Sequence, residues 1–417
     1  MCIEKLKTFH MQQDLVSLHC KIISVMFITA GMTVAGMAYA ETAHTFQPFV
    51  EYSTLYQDNV LRLPDTLHSK NGTEQKKLSD VSHRLEMGVL IDIDYSRQNF
   101  TGWIKENLTR YQDFKQLDFN GVDLMANWKW NLGSHFSGNF GATYLRTLAP
   151  FTDFHELEKN LRTEQRNYLD GSWLFHPSWA FQTGVSRYQL THDLQSQQFS
   201  DRVENRGEAR LDYVGRTDSK TGIMFGYTKG SLPNWGQLQE AAGANNYAQY
   251  EIKGDVKWNL SYKTSFQFVG GKVYRKVETA PGKDFNGANA RLRIAWQPTS
   301  QVNMNITAWR EISAVDYLDA LYAINKGISI TPNWNVSEKL AIAVELKHQR
   351  REFTSARASS FTGVREDTLN DLTVGVTYRP LRNMTVQMAV FHNTKSSAVE
   401  LSRYSNNGVM VSMQQKF

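Results

Sequence analysis

The sequence predicts an all-β fold: a transmembrane antiparallel up-and-down β-barrel of eighteen strands, with sixteen as the neighbouring count. Three observations predict it. Apolar and polar residues alternate over stretches of strand length. Short polar breaks beside aromatic residues return about every 40 residues, as hairpin turns on one side of a sheet would. The chain ends on an alternating strand whose last residue is Phe417.

Residues 1–40 read as an export signal, with Lys5, Lys7 and Lys21 before or at the start of an apolar stretch from Ile22 to Met37. Ala38-Tyr39-Ala40 offers the small residues that signal peptidase requires, and Met11 is an alternative start. The expected mature chain is a single barrel domain, 41–417. Both cysteines, Cys2 and Cys20, fall in the removed segment, which excludes disulfides, thiolate metal sites and cysteine catalysis from the mature protein. No apolar run of about 18 residues follows the signal, so helices cannot span a bilayer. Cleavage removes three lysines and two acids, taking the formal net charge from +5 to +4. Those charges are scattered, which argues against the clustered basic face of a nucleic-acid binder.

Along the mature chain, Leu85, Met87, Val89, Ile91, Ile93 and Tyr95 form one face of a predicted strand, with Arg84, Glu86, Asp92 and Asp94 on the other. Leu90 breaks the pattern. Residues 100–111 and 265–275 alternate less cleanly. Val122, Leu124, Ala126, Trp128 and Trp130 oppose Asp123, Asn127 and Lys129, and Tyr250, Ile252, Val256 and Trp258 oppose Glu251, Lys253, Asp255 and Lys257. Residues 340–347, 372–379 and 384–392 repeat the period, and Val409, Val411, Met413 and Phe417 share the last face. A terminal aromatic on such a strand resembles the outer-membrane assembly signal, which makes Phe417 the expected contact for the barrel-assembly machinery.

Turns fall near residues 96, 132, 177, 217, 260, 299, 334 and 381, flanked by Trp130, Trp173, Trp179, Trp258, Trp296, Trp334 and Tyr378. Such an aromatic girdle marks one membrane interface. The opposite connections are longer, notably 58–80, 148–162, 229–246 and 351–365, and are the expected extracellular loops.

A barrel of this size leaves an aqueous lumen unless loops plug it. The most charged lumen-lining row is strand eight, where Arg202, Glu204, Arg206, Glu208, Arg210 and Asp212 take every second position. Two roles fit: a track for a hydroxyl-rich or polyanionic chain, or a self-neutralising ladder that stiffens the wall, which is the favoured one. Arg291 and Arg293, and Arg162, Glu164, Arg166 and Asp170, carry the same pair of readings. Tyr168 and Trp309 are inward aromatics suited to sugar stacking or to interface anchoring. The connection after the fifth strand, with Asp153, Glu156 and Glu158, is placed to fold inward as a constriction; an ordinary acidic surface loop is the alternative.

The nine mature histidines are scattered, and no metalloprotease, nucleophile-elbow, phosphate-loop or dinucleotide motif is present. No enzyme and no cofactor or metal are expected, although a triad assembled across strands is defined by geometry and not by sequence.

At the exit of the first strand stands Tyr56-Gln57-Asp58-Asn59-Val60-Leu61-Arg62-Leu63-Pro64-Asp65. Asp58 and Asn59 suit a strand end, where their side chains bond local backbone, and Pro64-Asp65 begins a turn. The segment resembles the opening of the exosortase-associated exopolysaccharide transporter family EpsL. That resemblance implies an outer-membrane exit for a polysaccharide chain, served by a separate periplasmic scaffold protein, and no chemistry. The alternative expectation is a passive porin or uptake channel for small sugars or anionic solutes. Outer-membrane lipid and lipopolysaccharide are expected to surround either one.

Overall fold

The computed structural model describes residues 45–64, 78–215, 219–235, 246–278, 283–315, 320–355 and 365–417. The signal segment and Asp65 lie outside them. The chain forms Phe46–Gln57 (β1), Asp80–Tyr95 (β2), Gln98–Tyr111 (β3), Phe119–Leu132 (β4), Phe136–Leu148 (β5) and Leu161–His176 (β6). Next come Trp179–His192 (β7), Arg202–Val214 (β8), Lys220–Ser231 (β9), Tyr247–Ser261 (β10), Thr264–Val277 (β11) and Phe285–Trp296 (β12). The last six are Val302–Ser313 (β13), Ala320–Asn335 (β14), Leu340–Ser355 (β15), Glu366–Leu381 (β16), Met384–Ser397 (β17) and Tyr404–Lys416 (β18). All eighteen belong to one sheet, every consecutive pair is antiparallel, and β1 pairs with both β2 and β18, so the sheet closes on itself. Closure leaves no unpaired strand edge, which a lipid environment would not tolerate.

Alternation decides which side chains meet lipid. The outward set at the turn side forms an aromatic belt, in which Phe100 stacks on Trp128 at 5.8 Å, Phe136 on Trp173 at 6.0 Å, and Trp179 meets Tyr213 edge-on at 5.3 Å. Tyr250 and Tyr274 stand eight residues from Trp258 and Phe266 on their strands, toward the loop end. That is about 27 Å along a strand, or about 21 Å across the membrane at the usual tilt, close to the apolar band of such barrels.

The turn-side connections are tight. Ser96 and Gly133 take the left-handed φ values of 57° and 60° that close hairpins require. At the other end the connections carry a dry interior. Val60, Leu61, Tyr111, Phe114, Leu117, Phe151 and Phe154 pack into one buried cluster, with Leu63, Leu148, Leu157 and Leu194 against it. A second cluster joins Phe199, Leu232 and Trp235 to inward residues of β10 to β14, including Tyr247, Val273 and Phe285. These clusters draw on the connections after β1, β3, β5, β7 and β9. Hydrophobic burial therefore packs these connections together at the loop end, whereas the wall below them is polar inside.

Candidate functional site

The register places Arg84, Glu86, Asp123, Lys129, Arg166, Tyr168, Arg291, Arg293 and Trp309 on the interior face, together with the β8 row and Lys253 and Lys257 of β10. Most of the charges are matched inside the wall. Arg84 bonds Glu86, Lys105 pairs with Asp123 at 3.4 Å, Arg162 with Glu164 at 2.9 Å, and Arg291 grips Glu311 through two nitrogens. Lys129, Arg166, Lys257 and Arg293 make no ion pair among the described residues.

The β8 row reaches across β9 to β10. Arg206 bonds Glu208 at 3.1 Å and Glu251 at 3.0 Å, and Lys253 adds a bond to Glu251 at 2.9 Å. Arg210 bonds Asp212 at 2.6 Å and pairs with Asp255 at 2.7 Å, and Tyr247 donates to Glu204 at 2.7 Å. The bridges that cross β9 pass over Gly222, Gly226 and Gly230, which alternate with Met224 and Thr228 on its inward face. A Cβ at Gly222 would sit 2.0 Å from Asp212 Oδ1, and one at Gly230 2.2 Å from the Tyr247 ring. The glycines leave a trough that the longer side chains fill.

Inward aromatics lie beside cations. Arg166 stands 5.9 Å from the Tyr168 ring, Arg202 5.7 Å from Tyr188, Arg291 5.8 Å from Trp309 and Lys105 4.7 Å from Trp103. Tyr168 donates to Asn127 at 2.8 Å and Trp103 to Asp123 at 2.7 Å, so both rings are held by their polar edges.

The connection between β5 and β6 turns toward the far side of the barrel. Arg351 on β15 donates to both oxygens of Asp153 at 2.9 and 2.6 Å, and Lys395 on β17 donates to Asp153 at 2.8 Å and to the Thr152 carbonyl at 3.0 Å. Asp367, fully buried, pairs with Arg351, Arg365 and Lys395 at 3.3, 3.1 and 3.2 Å. Burial alone pushes the Asp153 carboxyl up, but Arg351 and Lys395 together outweigh it and hold it well below the usual carboxylate range. Glu156 and Glu158 of the same loop remain exposed.

The segment after β1 meets this loop and the barrel seam at once. Asn59 clasps its own turn, donating to the Leu63 carbonyl at 2.8 Å and accepting from the Leu63 amide at 2.9 Å, as a strand-exit residue should. Among the described residues the Asp58 side chain bonds no local backbone, contrary to expectation. Its carboxylate accepts from the backbone and side chain of Asn407, both at 2.7 Å, which ties β1 to β18. Arg62 takes a left-handed φ of 55°, donates to Thr152 Oγ1 and to Tyr404 Oη, and lies 5.3 Å from the Tyr404 ring. Leu61 is buried in the first apolar cluster, and its carbonyl accepts from His155 Nδ1 at 3.1 Å.

His155 gives the closed loop a pH dependence. Burial pushes its pKa down from the ordinary 6.5; the Leu61 carbonyl and Asp153 oppose this, and Lys395 and Arg62 reinforce it. A lowered value means that the seated loop binds fewer protons than the released loop. Its hold is therefore complete above about pH 6.5 and weakens as pH falls below that value. Planar-bilayer conductance is expected to rise on acidification from about pH 8 to about pH 5, and the rise should vanish in His155→Gln. A flat profile in the parent chain would show that His155 does not bear on the loop.

At the end of β7, His192, Asp201 and Ser200 form a hydrogen-bonded serine-histidine-aspartate grouping. Both Asp201, at 3.0 Å, and Ser200, at 3.2 Å, contact Nδ1. A proton relay needs the two partners on opposite ring nitrogens, so this grouping staples the loop to the strand.

Sequence reasoning missed Arg351, Asp367 and Lys395, the glycine trough and the apolar clusters. The spacing of Gly222, Gly226 and Gly230, all on one face of a strand, was the available signal for the trough.

No curated protein matches the chain. Among solved structures, the outer membrane protein OpdK from Pseudomonas aeruginosa is 10% identical, covering 89% of this chain and 99% of its own, with a TM-score of 0.46. OccAB3 from Acinetobacter baumannii is 7% identical over 90% of this chain and 100% of its own, with a TM-score of 0.48. A bacterial polysaccharide outer membrane secretin is 11% identical over 90% and 100%, with a TM-score of 0.37. Likeness at these levels says nothing about cargo. The family described as "Putative beta-barrel porin 2" matches residues 186–417, more than half of the chain. With its closed eighteen-strand wall and polar interior, the chain belongs to this family and is an outer-membrane, porin-like β-barrel channel.

Proposed function

We propose that the channel exports an extracellular polysaccharide. The observation that carries this reading is the packed loop end: two apolar clusters stand there, and the loop after β5 reaches the far wall, pinned through Asp153 to Arg351 and Lys395. A wide exit for a polymer must be shut when idle, or small solutes leak through it. Below the packed end the wall fits a moving glycan. Its charges are largely matched in place, leaving few strong sites to stall a chain, while Trp103, Tyr168 and Trp309 offer ring faces to sugar C–H groups. The resemblance of residues 56–65 to EpsL proteins supports the same cargo. The chain carries no energy source in this reading. Polymerisation and a separate periplasmic scaffold supply the push, and the mature barrel is delivered by an amino-terminal signal ending at Ala40.

A second reading, uptake of small sugars or anionic solutes, is favoured by the porin description of the family and by lumen cations, Lys129, Arg166, Lys257 and Arg293 among them, that make no ion pair among the described residues. Deleting the coding sequence separates the two. Export predicts that extracellular polymer disappears while small-solute permeability stays nearly unchanged. Normal polymer secretion, together with reduced solute entry, would overturn export and favour uptake.

A further inference from the structure

The outward face of β6 to β11 differs from the rest of the wall. No aspartate or glutamate stands at its outward positions, whereas Arg187 on β7, Lys229 on β9, and Lys272 and Lys276 on β11 do. Register sets three of them in one row: Arg187 pairs with Asn205, Asn205 with Lys229, Lys229 with Ala248, and Ala248 with Lys276. All four cations are exposed and make no ion pair among the described residues. The contrast lies on β14 to β16, where the outward cations Lys326 and Arg350 are neutralised by Glu352 and Glu366.

Beneath the row is a groove of about 640 Å³ between Gly207 and Ala209 on one side and Phe225, Tyr250 and Ile252 on the other. A Cβ at Gly207 would meet nothing within 4 Å, so the floor is hollow. Tyr227 and Tyr250, 5.1 Å apart, form the ridge beside it. The two acids at its border, Glu208 and Glu251, belong to the interior face and are bonded to Arg206. Asp284, at the loop end, is engaged by Tyr274 and the Val277 amide.

A cation on a lipid-facing wall is costly at the membrane centre and tolerable only where it reaches headgroups. This row lies on the loop-side tyrosine belt, at the interface of the extracellular leaflet. Lys272, within the groove and four residues from Lys276 on the same strand, can lean its ammonium toward the headgroups. Three unmatched cations above an apolar hollow call for a ligand with clustered phosphates and an acyl chain. We infer that Arg187, Lys229 and Lys276 bind the phosphates of lipid A, the saccharolipid of lipopolysaccharide, with one acyl chain in the Gly207–Ala209 groove. Phosphate oxygens suit such donors through charge-assisted hydrogen bonds.

The test is native mass spectrometry of the full chain in detergent, titrated with bisphosphorylated lipid A. Each cation beside an anionic headgroup contributes about a factor of five, so the triple variant Arg187→Gln, Lys229→Gln, Lys276→Gln should bind about a hundredfold more weakly. Lys326→Gln with Arg350→Gln should bind as the parent does. Gly207→Leu keeps every cation and fills the groove, and is expected to weaken binding as well. Should the triple variant fail to fold, Lys229→Gln alone should lose about fivefold. Parental affinity in the variants of Arg187, Lys229 and Lys276, or equal binding of dephosphorylated lipid A to the parent, would overturn the inference.

Discussion

The Asp153→Ala variant is expected to conduct more strongly in planar bilayers than the parent chain. Asp153 and Asp367 share the neutralisation of Arg351, Arg365 and Lys395, and the Lys395 side chain is completely buried. Removing Asp153 leaves two buried cations short of a partner, a loss on the order of 3–5 kcal/mol. Relief is available without unfolding the wall. The loop can lift away and let water reach Lys395 and Arg351, because the ladders of β15 to β17 do not depend on it. The expected signature is thus raised conductance with little change in the temperature at which the barrel loses its compact migration on gels. Unchanged conductance would mean that Phe151 and Phe154 hold the loop in the apolar cluster by themselves.

Gly222→Val is expected to do the opposite, damaging assembly more than gating. Its Cβ would lie 2.0 Å from Asp212 Oδ1 and 2.7 Å from the Leu211 carbonyl, and the backbone oxygen cannot swing aside. Displacing Asp212, which is fully buried, breaks its bond to Arg210 and strands a charge, again at about 3–5 kcal/mol. The yield of heat-modifiable barrel and the urea midpoint should both fall. Gly207→Val, on the neighbouring strand but facing lipid with open space around it, is the matched control and should assemble normally. Equal behaviour of the two variants would refute the account of the trough.

The contrast between those glycines marks how far the sequence could be read. Alternation has a fixed period of two, so the inward facing of Arg84, Glu86, Lys253 and the whole β8 row followed from local order, as did the outward facing of Trp128, Trp258 and Phe417. Strand number followed from turns. What alternation cannot encode is contact across the barrel. Asp153 meets Arg351 and Lys395 at separations of 198 and 242 residues, through a cross-section that only closure defines. The apolar clusters were hidden for a related reason: Leu61, Phe114, Phe154 and Phe199 come from irregular connections, where no period labels a buried face. Asp58 was read as a local capping residue because its type suits that role, yet its partner lies 349 residues away.

That distance constrains the order of events during biogenesis. The side chains of Asp58 and Asn59 reach Asn407 and the Ser405 carbonyl, and Arg62 reaches Tyr404, all on the final strand or its entrance. None of these contacts can form while the sheet is still open. The clasp that holds the inward loop at Thr152 and His155 is therefore complete only once the last strand has docked. A half-built barrel cannot seat its own inward loop, and the finished one acquires it in the same step that zips the wall.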